Sequence, residues 1–303
     1  MAGARGLLGR RFAASVLLLA SIAVGLTGCG SGRADRILVG SKNFTEQIVL
    51  AELLAQQIEA RTGLKVEKRL NLGGTLLAQQ ALESGEIDLY PEYTGTALTG
   101  VLGEQPSGDA AEVYRRVKEG YASRFGLEVG PPLGFSNTFA MVVRGEDAVR
   151  WKLGKISDIG ARAPEWRLGC GYEFKERPDG YAGWIKLYGL RFREAPRVMD
   201  LGLLYRALEE KQVDIVAGNS TDGVIAALNL VVLADDRSYF PPYQAVPIVR
   251  KAVLDRHPEL QGALESLAGK VTEQEMQRMN YAVDGQQRSV RDVVAELRRA
   301  KGL

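Results

Sequence analysis

Histidine is almost missing from this chain: His257, in Arg256-His257-Pro258, is the only one among 303 residues. Cysteine is nearly as scarce, with Cys29 and Cys170 alone. No two of these residues are spaced to hold zinc, so a metal site of that kind is excluded. The G-x-x-x-x-G-K-[ST] loop is absent, which excludes nucleotide hydrolysis by that route. No G-x-S-x-G elbow presents a nucleophilic serine either. His257 reads as a cap residue at a helix end. Carboxylates are numerous but scattered, and the adjacent pair Asp235-Asp236 falls where a turn is expected. Nothing in this inventory calls for a cofactor or argues for catalysis.

What is present begins with a leader. Arg5, Arg10 and Arg11 precede an apolar or small-residue run from Phe12 to Val24, and Leu26-Thr27-Gly28-Cys29 follows. A basic start, a short apolar stretch and a small-residue cleavage site make residues 1–28 a secretory signal peptide. The Leu-Thr-Gly-Cys ending resembles the lipobox of bacterial lipoproteins, which implies cleavage before Cys29 and a lipid anchor on its thiol. Residues 29–35, with Gly30-Ser31-Gly32, then serve as a flexible tether. No later segment approaches the ~20 apolar residues of a membrane span. Cleavage removes three arginines from 39 basic residues and none from 37 acidic ones, leaving a net charge of −1. That balance gives no support to nucleic-acid binding. With Cys29 lipidated, Cys170 has no internal disulfide partner and reads as a small hydrophobe in a strand.

The soluble body reads as α/β. Arg36 to Gly40 is a short apolar strand, and Phe44 to Thr62 carries a helical period closed by Gly63. Strand 64–70, helix 75–82 and strand 87–90 follow, giving the β-α-β-α-β order of a doubly wound sheet. Helix 108–125 precedes a Pro-Pro-Leu-Gly turn at 131–134. A second series then runs through strands 139–144, 166–170, 213–217 and 230–233, with helices around 183–188 and 201–211. After Phe240-Pro241-Pro242-Tyr243 comes strand 246–249, and the rest is helical through Leu297. Two α/β series with a returning tail suggest two lobes, residues 36–137 with 244–303, and residues 138–243.

Ligands in open α/β sheets lie beyond the carboxyl ends of strands, and three polar, aromatic segments fall there. Gly40-Ser41-Lys42-Asn43-Phe44-Thr45-Glu46-Gln47 opens a helix, where a Lys and hydroxyls could hold an anion. Asn43 or Thr45 could equally serve only as a cap. Leu89-Tyr90-Pro91-Glu92-Tyr93-Thr94-Gly95-Thr96 offers tyrosine rings, whose faces attract quaternary ammonium, or which simply cover the core. Ala217-Gly218-Asn219-Ser220-Thr221-Asp222-Gly223 leads to the rigid turn that presents Tyr243.

GSKNFTEQ, ALESGEIDLYPEYTGTA, NSTDG, LADDRSYFPPY and MQRMNYAVD together resemble the osmoprotectant-binding proteins of ABC importers, the glycine betaine/choline/carnitine group. The resemblance covers nearly all of residues 36–300. It implies a type II periplasmic-binding fold, with two α/β lobes, a ligand cleft, a closing hinge and a membrane permease as partner. It also implies a tyrosine box around the trimethylammonium: Tyr93 with the hydroxyl of Thr96, then Phe139 in Asn137-Thr138-Phe139, Asn219, and Tyr243. The ligand carboxylate would meet Lys42, with Ser41 or Thr45 nearby, and Arg177, which suits a carboxylate fork. Thr221 completes the expected ligand-binding set. Phe139 keeps a π-face, whereas Asn219 removes a ring worth about 0.5–2 kcal/mol. The site would then bind simple betaine weakly or admit a larger one, such as carnitine or ergothioneine. Other readings stay open: a different small zwitterion such as an amino acid, a sensor lobe, or an enzyme on this scaffold using Glu46, Glu92, Asp222 or Lys42.

Overall fold

The computed structural model describes residues 36–303; the expected signal peptide, Cys29 and the expected tether fall outside the described residues. Strand β1 (Arg36–Gly40) has four consecutive buried residues after an exposed Arg36. An apolar run with no polar face must be covered on both sides, as parallel strands are. Helix α1 (Thr45–Thr62) follows, with Leu50, Leu53, Leu54 and Ile58 wholly buried. It stops at Gly63, whose φ of 73° is the left-handed conformation that glycine adopts at helix ends. Neither Asn43 nor Thr45 caps its start. Phe44 takes the N-cap position without a side-chain bond, and the Thr45 hydroxyl donates to Asp284 at 2.6 Å.

Strand β2 (Lys65–Arg69), helix α2 (Thr75–Ser84), strand β3 (Leu89–Tyr93), helix α3 (Ala110–Phe125) and strand β4 (Leu127–Val129) follow in order. The second series holds β5 (Phe139–Arg144), α4 (Gly145–Trp151), β6 (Leu168–Cys170), α5 (Tyr172–Glu176), α6 (Tyr181–Tyr188), β7 (Arg197–Val198), α7 (Leu201–Glu209), β8 (Ile215–Asn219) and β9 (Leu230–Leu233). Strand β10 (Ala245–Arg250) then rejoins the first sheet, whose order is β2-β1-β3-β10-β4; the second is β7-β6-β8-β5-β9. β1 runs parallel to β2 and β3, as the β-α-β pattern requires. Each sheet as a whole is mixed. β10 is antiparallel to β3 and β4, and β5 is antiparallel to β8 and β9. Both arrive from the other sheet and therefore enter against their neighbours.

The two crossing segments lie side by side. Ser136 bridges Gln244, the Asn137 N–H donates to the Tyr243 carbonyl at 3.0 Å, and the Ala245 N–H donates to Phe135 at 3.2 Å. Four C-terminal helices follow, α8 (Lys251–Arg256), α9 (Glu259–Glu265), α10 (Glu273–Asp284) and α11 (Val290–Lys301), and the last three close over α1. Leu260, Leu264, Met276 and Val294 share its apolar core. A second core gathers Leu168, Phe174, Trp184 and Ile215 around Cys170. Burial pushes the Cys170 thiol up to about 11, so it is inert, as its strand position suggested.

Several boundaries differ from the sequence pattern, and two of the differences matter. The expected strand 87–90 is 89–93, and 213–217 is 215–219. The shifts put Tyr93 inside the ladder, opposite Ala245, and Asn219 opposite Phe139.

Candidate functional site

A cleft between the sheets gathers residues from both. Lys42, just past β1, is buried, and its ammonium donates to Glu92 at 2.5 Å and Thr75 at 2.9 Å. It also stands 5.3 Å from the centre of the Tyr93 ring. A buried lysine needs such a carboxylate, because an unpaired charge there is prohibitive. Tyr93 is stacked by Phe44, and its hydroxyl donates to Glu46 at 2.7 Å. Burial raises the pKa of Glu46, while bonds from Thr221, Tyr93, Asn280 and Asn137 act against that rise.

On the opposite side Arg177 follows the short helix α5. Its guanidinium grips Asp179 at 2.9 and 2.5 Å and donates to Thr96 at 3.0 Å. It lies over two aromatic faces, 5.1 Å from the Phe139 centroid and 5.8 Å from that of Tyr243. The Tyr243 hydroxyl donates to the same Asp179 at 2.6 Å. Tyr243 packs against Gly95, where a Cβ would fall 2.6 Å from the ring; the glycine of Tyr-Thr-Gly-Thr makes room for it. Phe139 meets Phe174 edge-on at 5.0 Å and Tyr243 at 5.9 Å. Asn219 faces Phe139 across the ladder, and Asp222 accepts from its backbone N–H at 2.9 Å.

The cleft is closed at its mouth. The Thr75 N–H, at the start of α2, donates to Glu173 at 2.5 Å. Gly74 lies so close to Tyr172 that any Cβ would overlap its hydroxyl. Burial alone would raise Glu173, but Lys42, Arg177 and the Thr75 N–H bring it below the usual carboxylate value.

Eight expected residues therefore line one cleft: Lys42, Tyr93, Thr96, Asn137, Phe139, Arg177, Asn219 and Tyr243. Two do not. Thr45 turns out to Asp284, because the first turn of α1 points it away from the cleft. Thr221 is buried beneath it, its hydroxyl held by Glu46. Ser41 is likewise interior, bonded to the Lys42 carbonyl. Lys42 and Arg177 are at the cleft but already neutralised, so neither is a free cation awaiting a carboxylate. Sequence reasoning missed Phe44, Glu173, Phe174 and Asp179. Asp179 stood in Arg177-Pro178-Asp179-Gly180, and the short spacing to Arg177 was its one signal.

A model of the substrate-binding domain of ABC-type glycine betaine transport systems matches residues 35–299. The chain belongs to that family. The carnitine transport binding protein OpuCC of Listeria monocytogenes is 38% identical over 277 residues, covering 89% of this chain and 90% of that one. A glycine-betaine-binding protein of Pseudomonas aeruginosa is 37% identical, with 91% of each chain covered. A solved glycine betaine/carnitine/choline ABC transporter structure superposes with a TM-score of 0.74 at 34% identity, over 88% of this chain and 98% of that one. The fold is that of periplasmic binding proteins. Among the described residues no helix is long and apolar enough to cross a membrane.

Asp222, beneath Asn219, yields a test of the electrostatics. Burial, with Glu46 adding repulsion, lifts it from 3.8 to about 6, although Tyr205 and Asn219 donate to it. The folded state thus holds this proton more tightly than the unfolded state. Stability from this group is full below about pH 4 and falls as pH rises through about 6. Urea denaturation across that range is expected to show the decline in the wild type and a flatter profile in Asp222→Asn.

Proposed function

We propose that this chain is the extracytoplasmic solute-binding component of an ABC importer and takes a quaternary-ammonium compound between its two sheets. One observation carries the reading. The hydroxyls of Tyr93 and Tyr243 both donate to buried carboxylates, so what the rings have left for a ligand is their π-surface and not an O–H donor. A trimethylammonium group cannot donate an N–H bond, and a π-face is what attracts it. The faces already attract charge within the protein, since Lys42 and Arg177 stand over them.

Residues 36–137 with 244–303 then form one lobe and 138–243 the other, hinged at the paired crossing segments. Ligand seated between them stabilises the closed form that a permease reads. The leader and Cys29 support export and a lipid anchor on the cell envelope. The family consists of substrate-binding domains, which speaks against the enzyme alternative; Lys42 and Glu92 neutralise each other, and Glu46 and Asp222 are held by donors.

A second reading, a larger betaine such as carnitine or ergothioneine, is favoured by Asn219. Its short side chain leaves one position of the box without a ring, and Met199 and Leu201 also line the cleft.

Thermal unfolding with choline, glycine betaine, carnitine and ergothioneine checks the proposal, because a true ligand stabilises by RT ln(1 + [L]/Kd). At least one is expected to raise the melting temperature, and Tyr93→Ala and Tyr243→Ala are each expected to weaken that ligand about tenfold or more. A flat response to all four would contradict it. Asn219→Tyr is expected to tighten glycine betaine by up to about tenfold while excluding a larger betaine, as calorimetric titration of both ligands would show.

A further inference from the structure

Glu46 is buried in the first turn of α1, and its four partners are all neutral. Its Oε1 accepts from the Tyr93 hydroxyl at 2.7 Å and the Asn137 Nδ2 at 2.8 Å. Its Oε2 accepts from the Thr221 hydroxyl at 2.5 Å and the Asn280 Nδ2 at 3.0 Å. These donors come from the end of β3, the crossing segment, the turn after β8, and α10. Asn280 also donates to the Thr221 carbonyl at 2.9 Å, which fixes its own orientation. One carboxylate therefore joins the first sheet, the crossing, the second sheet and the C-terminal helices.

The saturation dictates how Asn137 is turned. All four contacts are donations to the carboxylate, and the amide presents its nitrogen to Glu46. The Asn137 Oδ1 is left over, and it is buried with no hydrogen-bond donor. Asn137 lines the cleft beside Tyr93, whereas Glu46 does not. An orphaned acceptor of this kind is unfavourable unless something else supplies the donor. A quaternary nitrogen cannot supply it, but a hydroxyl or N–H elsewhere on the same ligand can.

We propose that Glu46 is a positioning residue for recognition. It holds the amide nitrogen of Asn137 and leaves the carbonyl oxygen of this cleft-lining residue unpaired, so the site selects a quaternary-ammonium compound that also carries a hydroxyl or N–H donor. This selectivity rests on the quaternary-ammonium reading of the cleft and goes beyond it, since the rings sense only the cationic head. It is also separate from the role of Asn219, which sets how much room the ligand has. Glu46 touches no ligand itself; it acts through Asn137 and, by holding the phenol, through Tyr93.

Matched pairs test the idea, each pair differing by one hydroxyl: carnitine against γ-butyrobetaine, and choline against ethyltrimethylammonium. Calorimetric titration of the wild type is expected to favour the hydroxyl-bearing member about tenfold, the worth of one neutral hydrogen bond. In Glu46→Gln the new amide can donate as well as accept, so Asn137 is free to turn over. The preference is then expected to fall to within about twofold while the hydroxyl-free member still binds. Asn137→Ala should lose the preference in the same way, and it decides the matter alone if Glu46→Gln does not fold. A merely structural Glu46 would weaken both members of a pair equally. Equal binding of both members by the wild type, or a preference surviving in both variants, overturns the proposal. Binding of none of the four by the wild type defeats the quaternary-ammonium reading itself. The Glu46 role has a readout without ligand: the side-chain amide resonances of Asn137 should move in Glu46→Gln. Their staying in place would defeat that role alone.

Discussion

Two hydrogen bonds from phenol to buried carboxylate, Tyr93 to Glu46 and Tyr243 to Asp179, organise the rest of the site. Each donates to a buried carboxylate, and each commits a phenol hydroxyl to the protein rather than to the cleft. Both carboxylates are shared. Glu46 also holds Asn137, Thr221 and Asn280, and Asp179 also holds Arg177 on two prongs. Breaking either phenol bond removes one of two donors on the same oxygen, leaving Asn137 on Glu46 or Arg177 on Asp179, and frees a ring at the same time. Stability and recognition are thus carried by the same groups.

Both cations of the cleft are paired with carboxylates before any ligand arrives. Lys42 answers Glu92, and Arg177 answers Asp179 with Glu173 at 3.5 Å. This differs from a site built on free cations awaiting a carboxylate, and in the proposed function the aromatic faces carry the weight of recognition. Tyr93 comes from the first sheet, Phe139 and Asn219 from the second, and Tyr243 from the crossing between them. A cation held among these residues touches both sheets at once. In the proposed function, binding and closure are then one event, driven by contacts that need the two sides together.

Much of this was legible in the sequence. The β1-α1-β2 order, the second α/β series and the returning C-terminal strand follow from apolar runs broken by Gly and Pro. Eight of the ten expected ligand-binding residues meet in one cleft, because strand ends and turns are where α/β sheets place such groups. Thr45 and Thr221 were misread for the same reason: a hydroxyl beside a motif does not say which way it points. Thr45 is turned outward by its place in the first turn of α1, and Thr221 is drawn inward by Glu46. Short elements such as β4, β7 and α5 left no period to read. The role of Asp179 could not be seen because its partner Tyr243 lies 64 residues away, a contact that only the crossing brings about.

The central claim is that aromatic faces held by buried carboxylates capture a quaternary ammonium in this cleft. A crystal structure of the protein grown with carnitine tests it most directly. The account predicts density for the ligand between the sheets, with its quaternary nitrogen within about 6 Å of the Tyr93 and Tyr243 ring centroids, and with both phenol–carboxylate bonds intact. An empty cleft at saturating carnitine, or a ligand bound with its nitrogen away from both rings, would contradict it.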